Sequence, residues 1–139
     1  MADTLSATRR SQNMRQIRSK NTRPEIVVRG LVHKMGYRYR LHVATLPGSP
    51  DLVFRRLNKI IEVKGCFWHR HSGCQDSHIP KSRRAYWIPK LRGNVRRDKK
   101  NLRMLGGLGW KVLIVWECEV NARNLHKLAK RLRQFLGAN

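Results

Sequence analysis

Residues 50–64 read PDLVFRRLNKIIEVK, and this stretch decides the fold that the sequence predicts. Two apolar runs, 51–54 and 59–64, flank a short basic turn, which is the pattern of a β-hairpin. Side chains alternate between the two faces of a strand, so Glu62 and Lys64 point to one side and the residues between them to the other. The stretch therefore predicts a half-buried hairpin with a charged face.

The same hairpin carries a carboxylate–lysine pattern, Pro50-Asp51 and then Glu62-Val63-Lys64 after ten residues. If Asp51 opens the first strand, its carboxylate can meet that of Glu62 on the second. These carboxylates and the Val63 carbonyl form an oxygen site suited to Mg²⁺. Mg²⁺ would neutralise charge on a scissile phosphate, and Lys64 could orient or deprotonate the attacking water. A surface Glu–Lys pair is the alternative, but only eight acidic residues occur in the chain and two fall here, which favours catalysis.

Periodicity predicts the remaining elements. A capping box from Thr22 to Glu25 begins a helix that Gly36 ends, and residues 37–42 alternate like a strand. A second helix is predicted from about Asn94 to Leu105. Later elements are a buried strand and an amphipathic helix, at 111–116 and 125–135. The order α-β-β-β-α-β-α predicts an α/β fold, a mixed β-sheet flanked by helices in a single domain, 1–139.

Charge limits the classes of partner. The chain of 139 residues has 31 Lys and Arg against eight Asp and Glu, a formal net charge of +23, so a polyanionic partner is expected. No apolar stretch could span a bilayer and the N-terminus lacks a signal-peptide core, so we expect a cytoplasmic protein that binds nucleic acid. Residues 1–20 are polar and basic and predict a DNA-binding arm. An RNA binder held by charge alone is the alternative.

Residues 65–90 are rich in Cys, His and aromatic residues and lack periodicity, so they predict an irregular insert that needs a crosslink to stay ordered. Three cysteines and one histidine form a tetrahedral Zn²⁺ set without an open position, which indicates a structural zinc. The predicted ligands are Cys66, His71, Cys74 and Cys118. His69 and His78 compete with His71 as the fourth ligand.

Adjacent aromatic residues in the insert suggest contact with DNA. Phe67 and Trp68 follow the hairpin, and Trp87 closes the insert. Large rings in a cationic loop can be inserted between base steps, and Met14 of the arm could act from the other groove. The alternative is that the rings pack the insert against the sheet, and for Trp87 the two interpretations are equally weighted.

Six ordered segments carry a family resemblance: TRRSQNMR (8–15), LPGSPD (46–51), GCFWHRH (65–71), YW (86–87), NVRRD (94–98) and GWKVLIVWEC (109–118). On these residues the chain resembles the very-short-patch-repair (Vsr) endonucleases over nearly its whole length. The resemblance implies a restriction-endonuclease-like fold with a structural zinc. It also implies an enzyme that uses Mg²⁺ to nick double-stranded DNA 5′ of the thymine in T:G mismatches, and we expect it to act as a monomer.

The resemblance also assigns roles to residues. It implies Asp51 as a metal ligand, with Glu25 and His69 as helpers at the metal-bound waters, and it places zinc on the four residues given above. Glu25 has an alternative role as the capping-box partner of Thr22. The residues expected to contact DNA are Met14, Phe67, Trp68, Trp87, Asn94 and Arg97.

The chain departs from the family pattern at Glu62-Val63-Lys64, where the family carries Thr-His after an apolar residue. This is the generic PD-(D/E)xK triad, so we hypothesise that Glu62 is the second carboxylate and that Lys64 takes part of the base role from His69. The zinc loop is also one residue longer before Cys74. Two alternatives stay open: an endonuclease that cuts matched duplex at a specific site, and a non-catalytic zinc-dependent DNA-binding module.

Overall fold

The computed structural model describes residues 20–138, so the predicted arm and Met14 lie outside the described part of the chain. The helices are α1 (Arg23–Lys34), α2 (Arg84–Gly107) and α3 (Leu125–Gly137), and the strands are β1 (Arg40–Leu41), β2 (Leu52–Phe54), β3 (Lys59–Lys64) and β4 (Lys111–Trp116). Three short 3-10 helices cover Arg55–Leu57, Gln75–Ser77 and Glu117–Glu119. The predicted order of helices and strands is confirmed. No described helix is long and apolar enough to cross a membrane.

The four strands form one sheet in the order β1-β2-β3-β4. The first three are antiparallel, with Leu52 opposite Ile61, and this confirms the predicted hairpin. β4 lies parallel to β3, with Glu62 opposite Ile114, so the sheet is mixed as predicted. A parallel neighbour requires a long crossover connection, and α2 lies within it.

Two elements differ from their predicted bounds. The alternating residues 37–42 form only the two-residue strand Arg40–Leu41, at the edge of the sheet. The helix predicted from Asn94 begins at Arg84, so Trp87 is helical and the irregular part of the insert ends at residue 83. Pro89 lies inside this helix, one turn after its start, where it has no N–H to donate to the carbonyl of Ala85.

The sheet is covered on both faces. Val28 and Val32 of α1 and Leu128 and Leu132 of α3 pack on the face that carries Ile61. Leu105 of α2 packs on the opposite face, against Val53 and Ile60. Burying each such aliphatic side chain contributes about 1.5–3 kcal/mol, so these contacts fix where α2 crosses the sheet.

The apolar face under α2 becomes polar toward the end of β3. Ile60, Glu62 and Lys64 share this face because they alternate along the strand. Leu105 covers Ile60, and Asp98 lies seven residues earlier on α2, on the same side of the helix. The helix that completes the core beside Ile60 therefore also brings a carboxylate to Lys64.

Candidate active site

A cavity of about 350 Å³ opens where β2 begins and β3 ends. It is lined by Lys20, His42, Gly48, Ser49, Asp51, Glu62, Val63, Lys64, His69, Asn94, Asp98 and Asn101. Four of the five predicted catalytic residues line this cavity, and the fifth, Glu25, lies beneath it, next to His42. The structure therefore brings together residues from the hairpin, the insert and α1.

Asp51 is held at the cavity by the turn that precedes β2. Gly48 has φ +76° within this turn, and a Cβ there would lie 2.7 Å from the Asn101 side chain, so both conformation and space favour glycine. The Val63 N–H donates to Asp51 Oδ2 over 2.8 Å. The pKa of Asp51 is raised to about 7, chiefly by burial; the charges of Glu25 and Glu62 also raise it, whereas the Val63 N–H and the Lys64 charge lower it. A cation beside Asp51 would relieve this unfavourable charge.

Glu25 makes only one of the two hydrogen bonds of the predicted capping box. Its backbone N–H donates to Thr22 Oγ1 over 3.3 Å, which caps α1. Its carboxylate turns away from the cap, accepts from the Arg29 guanidinium and lies 2.9 Å from His42 Nε2. Glu25 is only 2% exposed, so it forms the buried wall behind Asp51. The capping and active-site roles of Glu25 are therefore compatible.

On the other side of the cavity, Asp98 joins two predicted catalytic groups. Its Oδ1 lies 3.2 Å from Lys64 Nζ, and its Oδ2 lies 2.6 Å from His69 Nδ1. Glu62 Oε2 lies 3.7 Å from the same ammonium group. Burial opposes ionisation of Asp98, but the His69 hydrogen bond and the Lys64 charge outweigh it, so the pKa of Asp98 is lowered. Asp98 is thus an anionic anchor for both Lys64 and His69.

Two residues that contact predicted catalytic groups in the cavity, Asp98 and His42, had no predicted role. Asp98 belongs to the NVRRD segment that carries part of the family resemblance, and its place on the face of Asn94 was the available signal. No sequence signal pointed to His42, because it falls at the end of a weakly alternating run. His42 has φ 46°, and its N–H donates to the Asp51 carbonyl over 3.0 Å, which places its ring beside Asp51.

The predicted zinc ligands also meet. The ligand atoms of Cys66, His71, Cys74 and Cys118 all lie within 4.8 Å of one another. His71 Nδ1 is 3.6 Å from Cys66 Sγ and 3.4 Å from Cys118 Sγ, close to the roughly 3.6 Å edge of a tetrahedron with ordinary Zn–S and Zn–N bonds. The pKa of the Cys66 thiol is raised to about 12, chiefly by burial and in part by the Cys118 side chain, against the lowering effect of the Cys118 backbone N–H. The donor set fits a structural zinc ion.

The surroundings of the histidines discriminate among the candidates for the fourth ligand. The His71 ring stacks on Trp116 at 4.3 Å, so its nitrogen is held toward the cysteines. His69 binds Asp98 instead, and His78 is not in the cluster. The geometry therefore favours His71, and it leaves His69 to the cavity.

The aromatic residues of the insert pack on one another. The ring centroid of Phe67 lies 4.9 Å from Trp68 and 5.2 Å from Trp87, and all three rings are half-buried. Asn94 donates to the Trp68 carbonyl over 3.0 Å and accepts from Arg97, so the described residues that were predicted to contact DNA lie next to one another beside the cavity. Mutual packing keeps the rings in place while part of each stays accessible.

Comparison with known proteins identifies the family. The family model for DNA mismatch endonuclease Vsr matches residues 2–75, more than half of the chain. The chain belongs to the Vsr family. It is 49% identical over 136 residues to the type II nicking enzyme V.XorIIP of Xanthomonas oryzae pv. oryzae, covering 98% of each protein. It is 37% identical to the DNA mismatch endonuclease Vsr of Escherichia coli, covering 98% of this chain and 88% of that protein.

Membership of the Vsr family makes this protein a DNA endonuclease, which confirms the predicted enzyme class and sets aside the non-catalytic module. A Vsr endonuclease must activate water against a phosphodiester. Among the described residues, the cavity groups with that capacity are the carboxylates, the lysines and the histidines given above. The identity of the family and the geometry of the cavity therefore point to the same site.

Proposed function

We propose that this endonuclease uses Mg²⁺ to nick one strand of duplex DNA on the 5′ side of the thymine in a T:G mismatch. The observation that carries the proposal is the meeting of Asp51, Glu62, Lys64 and His69 in one cavity. The names of the relatives support the reaction, since one is a DNA mismatch endonuclease and another a nicking enzyme. The mixed sheet and flanking helices agree with a restriction-endonuclease-like fold.

The proposed Mg²⁺ ligands are the carboxylates of Asp51 and Glu62 and the backbone carbonyl of Val63. These oxygen donors match the preference of Mg²⁺, and a cation beside Asp51 would offset the burial and the neighbouring carboxylates that raise its pKa. When bound, the ion neutralises charge on the scissile phosphate and lowers the pKa of a coordinated water. The Cys₃His cluster is proposed to hold Zn²⁺, which would fix the insert beside the cavity.

Lys64 and His69 are proposed to have different roles at the attacking water. Asp98 accepts a hydrogen bond from His69 Nδ1, which leaves Nε2 of the imidazole as the proton acceptor. Lys64 lies between Asp98 and Glu62, where its ammonium group can orient the water and stabilise charge on the phosphate. This is a narrower role for Lys64 than the base role that the sequence suggested.

The substrate is proposed to lie along the aromatic cluster and the basic surface. Phe67 and Trp68 would enter the base stack near the mismatch, with Trp87 supporting them, and Asn94 and Arg97 would contact the strand beside the nick. Met14 of the arm is proposed to act from the opposite groove. The excess of positive charge suits a single chain that binds the DNA backbone on several sides, in the cytoplasm.

A second candidate is cleavage of matched duplex at a specific site. The observation that favours it is the Glu62–Lys64 pair, which lies 3.7 Å apart in the cavity and completes the generic PD-(D/E)xK triad. This candidate uses the same metal and the same side chains, and it differs only in the DNA that is recognised.

The two candidates are separated by cleavage of end-labelled duplexes that differ only in T:G against T:A, with Mg²⁺ present. The first predicts one nick 5′ of the mismatched thymine, and the second predicts equal cutting of both duplexes. Asp51→Asn should abolish cutting, whereas Asp76→Asn, the same change at an exposed position in the zinc loop, should not. Cutting by Asp51→Asn at the wild-type rate would remove the proposed site under either candidate.

A further inference from the structure

His42 faces the catalytic cavity, although the predicted Mg²⁺ site contains only oxygen ligands. It follows β1 directly, and its N–H donates to the carbonyl of Asp51. This backbone bond holds the His42 ring and the Asp51 carboxylate on the same side of the chain. The imidazole nitrogen Nε2 lies 3.9 Å from Asp51 Oδ1 and 2.9 Å from Glu25 Oε2.

The donor atoms of Glu25, His42 and Asp51 have the spacing of a metal-binding triad. One such atom from each residue lies within 4.8 Å of the others. A metal ion with bonds of about 2.1 Å places neighbouring ligands about 3.0 Å apart and opposite ligands about 4.2 Å apart. The His42–Glu25 and His42–Asp51 separations, 2.9 and 3.9 Å, are close to these distances, so small side-chain adjustments would let the three groups share one ion.

The triad is buried on the side of Glu25 and open to the cavity on the side of His42 and Asp51. Glu25 is 2% exposed, whereas His42 and Asp51 both line the cavity. An ion held by the three residues would therefore have protein behind it and open positions toward the cavity, where water and a phosphate oxygen could bind. Asp51 belongs both to this triad and to the proposed oxygen site with Glu62, so the two descriptions concern one metal-binding region.

A plain hydrogen bond between His42 and Glu25 is the competing explanation. Glu25 already accepts from Arg29, so it needs no second partner for its charge. The left-handed backbone conformation of His42, which histidine tolerates better than most residues, directs its ring toward Asp51 as well as Glu25. A structural hydrogen bond does not account for a ring that also comes within 3.9 Å of the Asp51 carboxylate.

We propose that His42 is a direct ligand of the catalytic metal ion, together with Asp51 and Glu25, and that this nitrogen donor shifts the preference of the site from Mg²⁺ toward Mn²⁺. The proposal rests on the divalent metal of the proposed function. Imidazole suits transition-metal ions, whereas Mg²⁺ prefers oxygen donors alone, and Mn²⁺ accepts the carboxylates of this set as well as the imidazole.

The test is electron spin echo spectroscopy of Mn²⁺ bound to the full-length, zinc-loaded protein without an affinity tag. A directly bound imidazole gives a nitrogen modulation, and this modulation should change when the protein is grown with ¹⁵N-histidine. It should vanish in His42→Gln and in His42→Asn, and both variants should bind Mn²⁺ more weakly, on the order of tenfold. His33→Gln, the same change at an exposed position of α1, should behave like the wild type.

The outcomes separate this inference from the proposed function. Mn²⁺ that binds the wild type without any histidine nitrogen modulation overturns the His42 ligand and leaves the oxygen site standing. A modulation that survives in both His42 variants and is lost in His69→Gln also overturns it. Absence of binding of both Mn²⁺ and Mg²⁺ overturns the metal of the proposed function itself. His42→Asn guards against misfolding because asparagine tolerates the positive φ, and the wild-type isotope comparison needs no variant.

Discussion

The Lys64 ammonium group lies 3.2 Å from Oδ1 of Asp98, and this pair links β3 to α2 at the edge of the cavity. The other oxygen of the same carboxylate lies 2.6 Å from His69 Nδ1. One aspartate therefore sets the position of the two groups that are proposed to act on the attacking water. Asp98 is buried only in part, so its ionised form depends on both partners rather than on solvent alone.

Asp98 is a positioning residue by this geometry, and its loss should slow the chemical step more than it weakens DNA binding. We expect Asp98→Asn to lower the single-turnover nicking rate on the order of 100-fold, because His69 loses its anionic partner and Lys64 its anchor. The dissociation constant for DNA should change less than about threefold. Rates measured from pH 6 to 9 should also show an altered pH profile, which a purely structural role would not produce.

The matched control for this change is Asp76→Asn, which keeps the chemistry of the substitution and lies at an exposed position. His69→Gln and the double variant complete a cycle. If Asp98 acts through His69, the double variant should be scarcely slower than the slower single variant. Fully additive losses, or a wild-type rate for Asp98→Asn, would contradict the role given to Asp98.

Asp51 leads to a prediction about pH. Its pKa in the folded protein is about 7, above the ordinary value of 3.8, because of burial and the charges of Glu25 and Glu62. Mg²⁺ binds the ionised carboxylate, so the affinity for Mg²⁺ should rise as pH rises through about 7. Calorimetric titration with Mg²⁺ at pH 6, 7 and 8 measures this, and an affinity that is flat over the range would contradict it.

The same pKa shift has a consequence for stability. Without a divalent ion, the folded protein holds the Asp51 proton more tightly than the unfolded chain. This group therefore makes the free energy of unfolding fall as pH rises from about 4 to about 7. The loss amounts to a few kcal/mol at roughly 1.4 kcal/mol per pKa unit. Asp51→Asn should remove this contribution, and urea unfolding of both proteins at pH 5 and pH 8 measures the difference.

Zinc removal should affect the insert before it affects the sheet. The Cys₃His cluster ties the loop after β3 to Cys118 beyond β4, so its loss should release residues 65–83 and disturb the placement of His69. We expect Cys74→Ser to lower the melting temperature and to increase hydrogen exchange of the loop amides, with β3 and β4 still protected. Ser72→Ala, a change in the same loop outside the cluster, is the control. Equal exchange in the two variants would contradict a stapling role for the cluster.

The sequence predicted those parts of the fold whose signal is local. The hairpin of residues 50–64 and the run 111–116 carry enough apolar residues in order to specify strands, and both are present. The start of α2 at Arg84 was missed because Pro89 and the adjacent aromatic residues before it resemble the rest of the irregular insert. Only residues 40–41 of the alternating run 37–42 pair, since β1 lies at the sheet edge and has one neighbour.

The same distinction holds for the site. Asp51, Glu62 and Lys64 could be predicted because one hairpin brings them together and their spacing is a motif. His42 could not be, and the signal for Asp98 was only its place in the NVRRD segment, because the positions of both depend on the tertiary packing of a turn and a distant helix. Lys64 and Asp98 are 34 residues apart in sequence, and only the packing of Leu105 on Ile60 makes them neighbours.

A final prediction concerns Lys59, at the opposite end of β3 from the cavity. Its side chain is 4% exposed, and its ammonium group donates to the carbonyls of Phe135 (2.6 Å), Leu136 (3.5 Å) and Ala138. These carbonyls lie at the C-terminus of α3, where intrahelical donors are lacking and the helix dipole favours a cation. Lys59 therefore caps the last helix and binds it to the sheet.

Lys59→Met keeps the aliphatic stem but removes the donor, so it should lower the free energy of unfolding by about 2 kcal/mol, the typical contribution of hydrogen bonds to a charged group. Lys127→Met, the same change at an exposed position of α3, should have little effect. Urea unfolding of both variants measures the difference. Nicking by Lys59→Met should stay near the wild-type rate at a temperature where it is folded, because five residues of strand, roughly 16 Å, separate position 59 from Lys64. Equal stability of the two variants would show that Lys59 does not hold α3 in place.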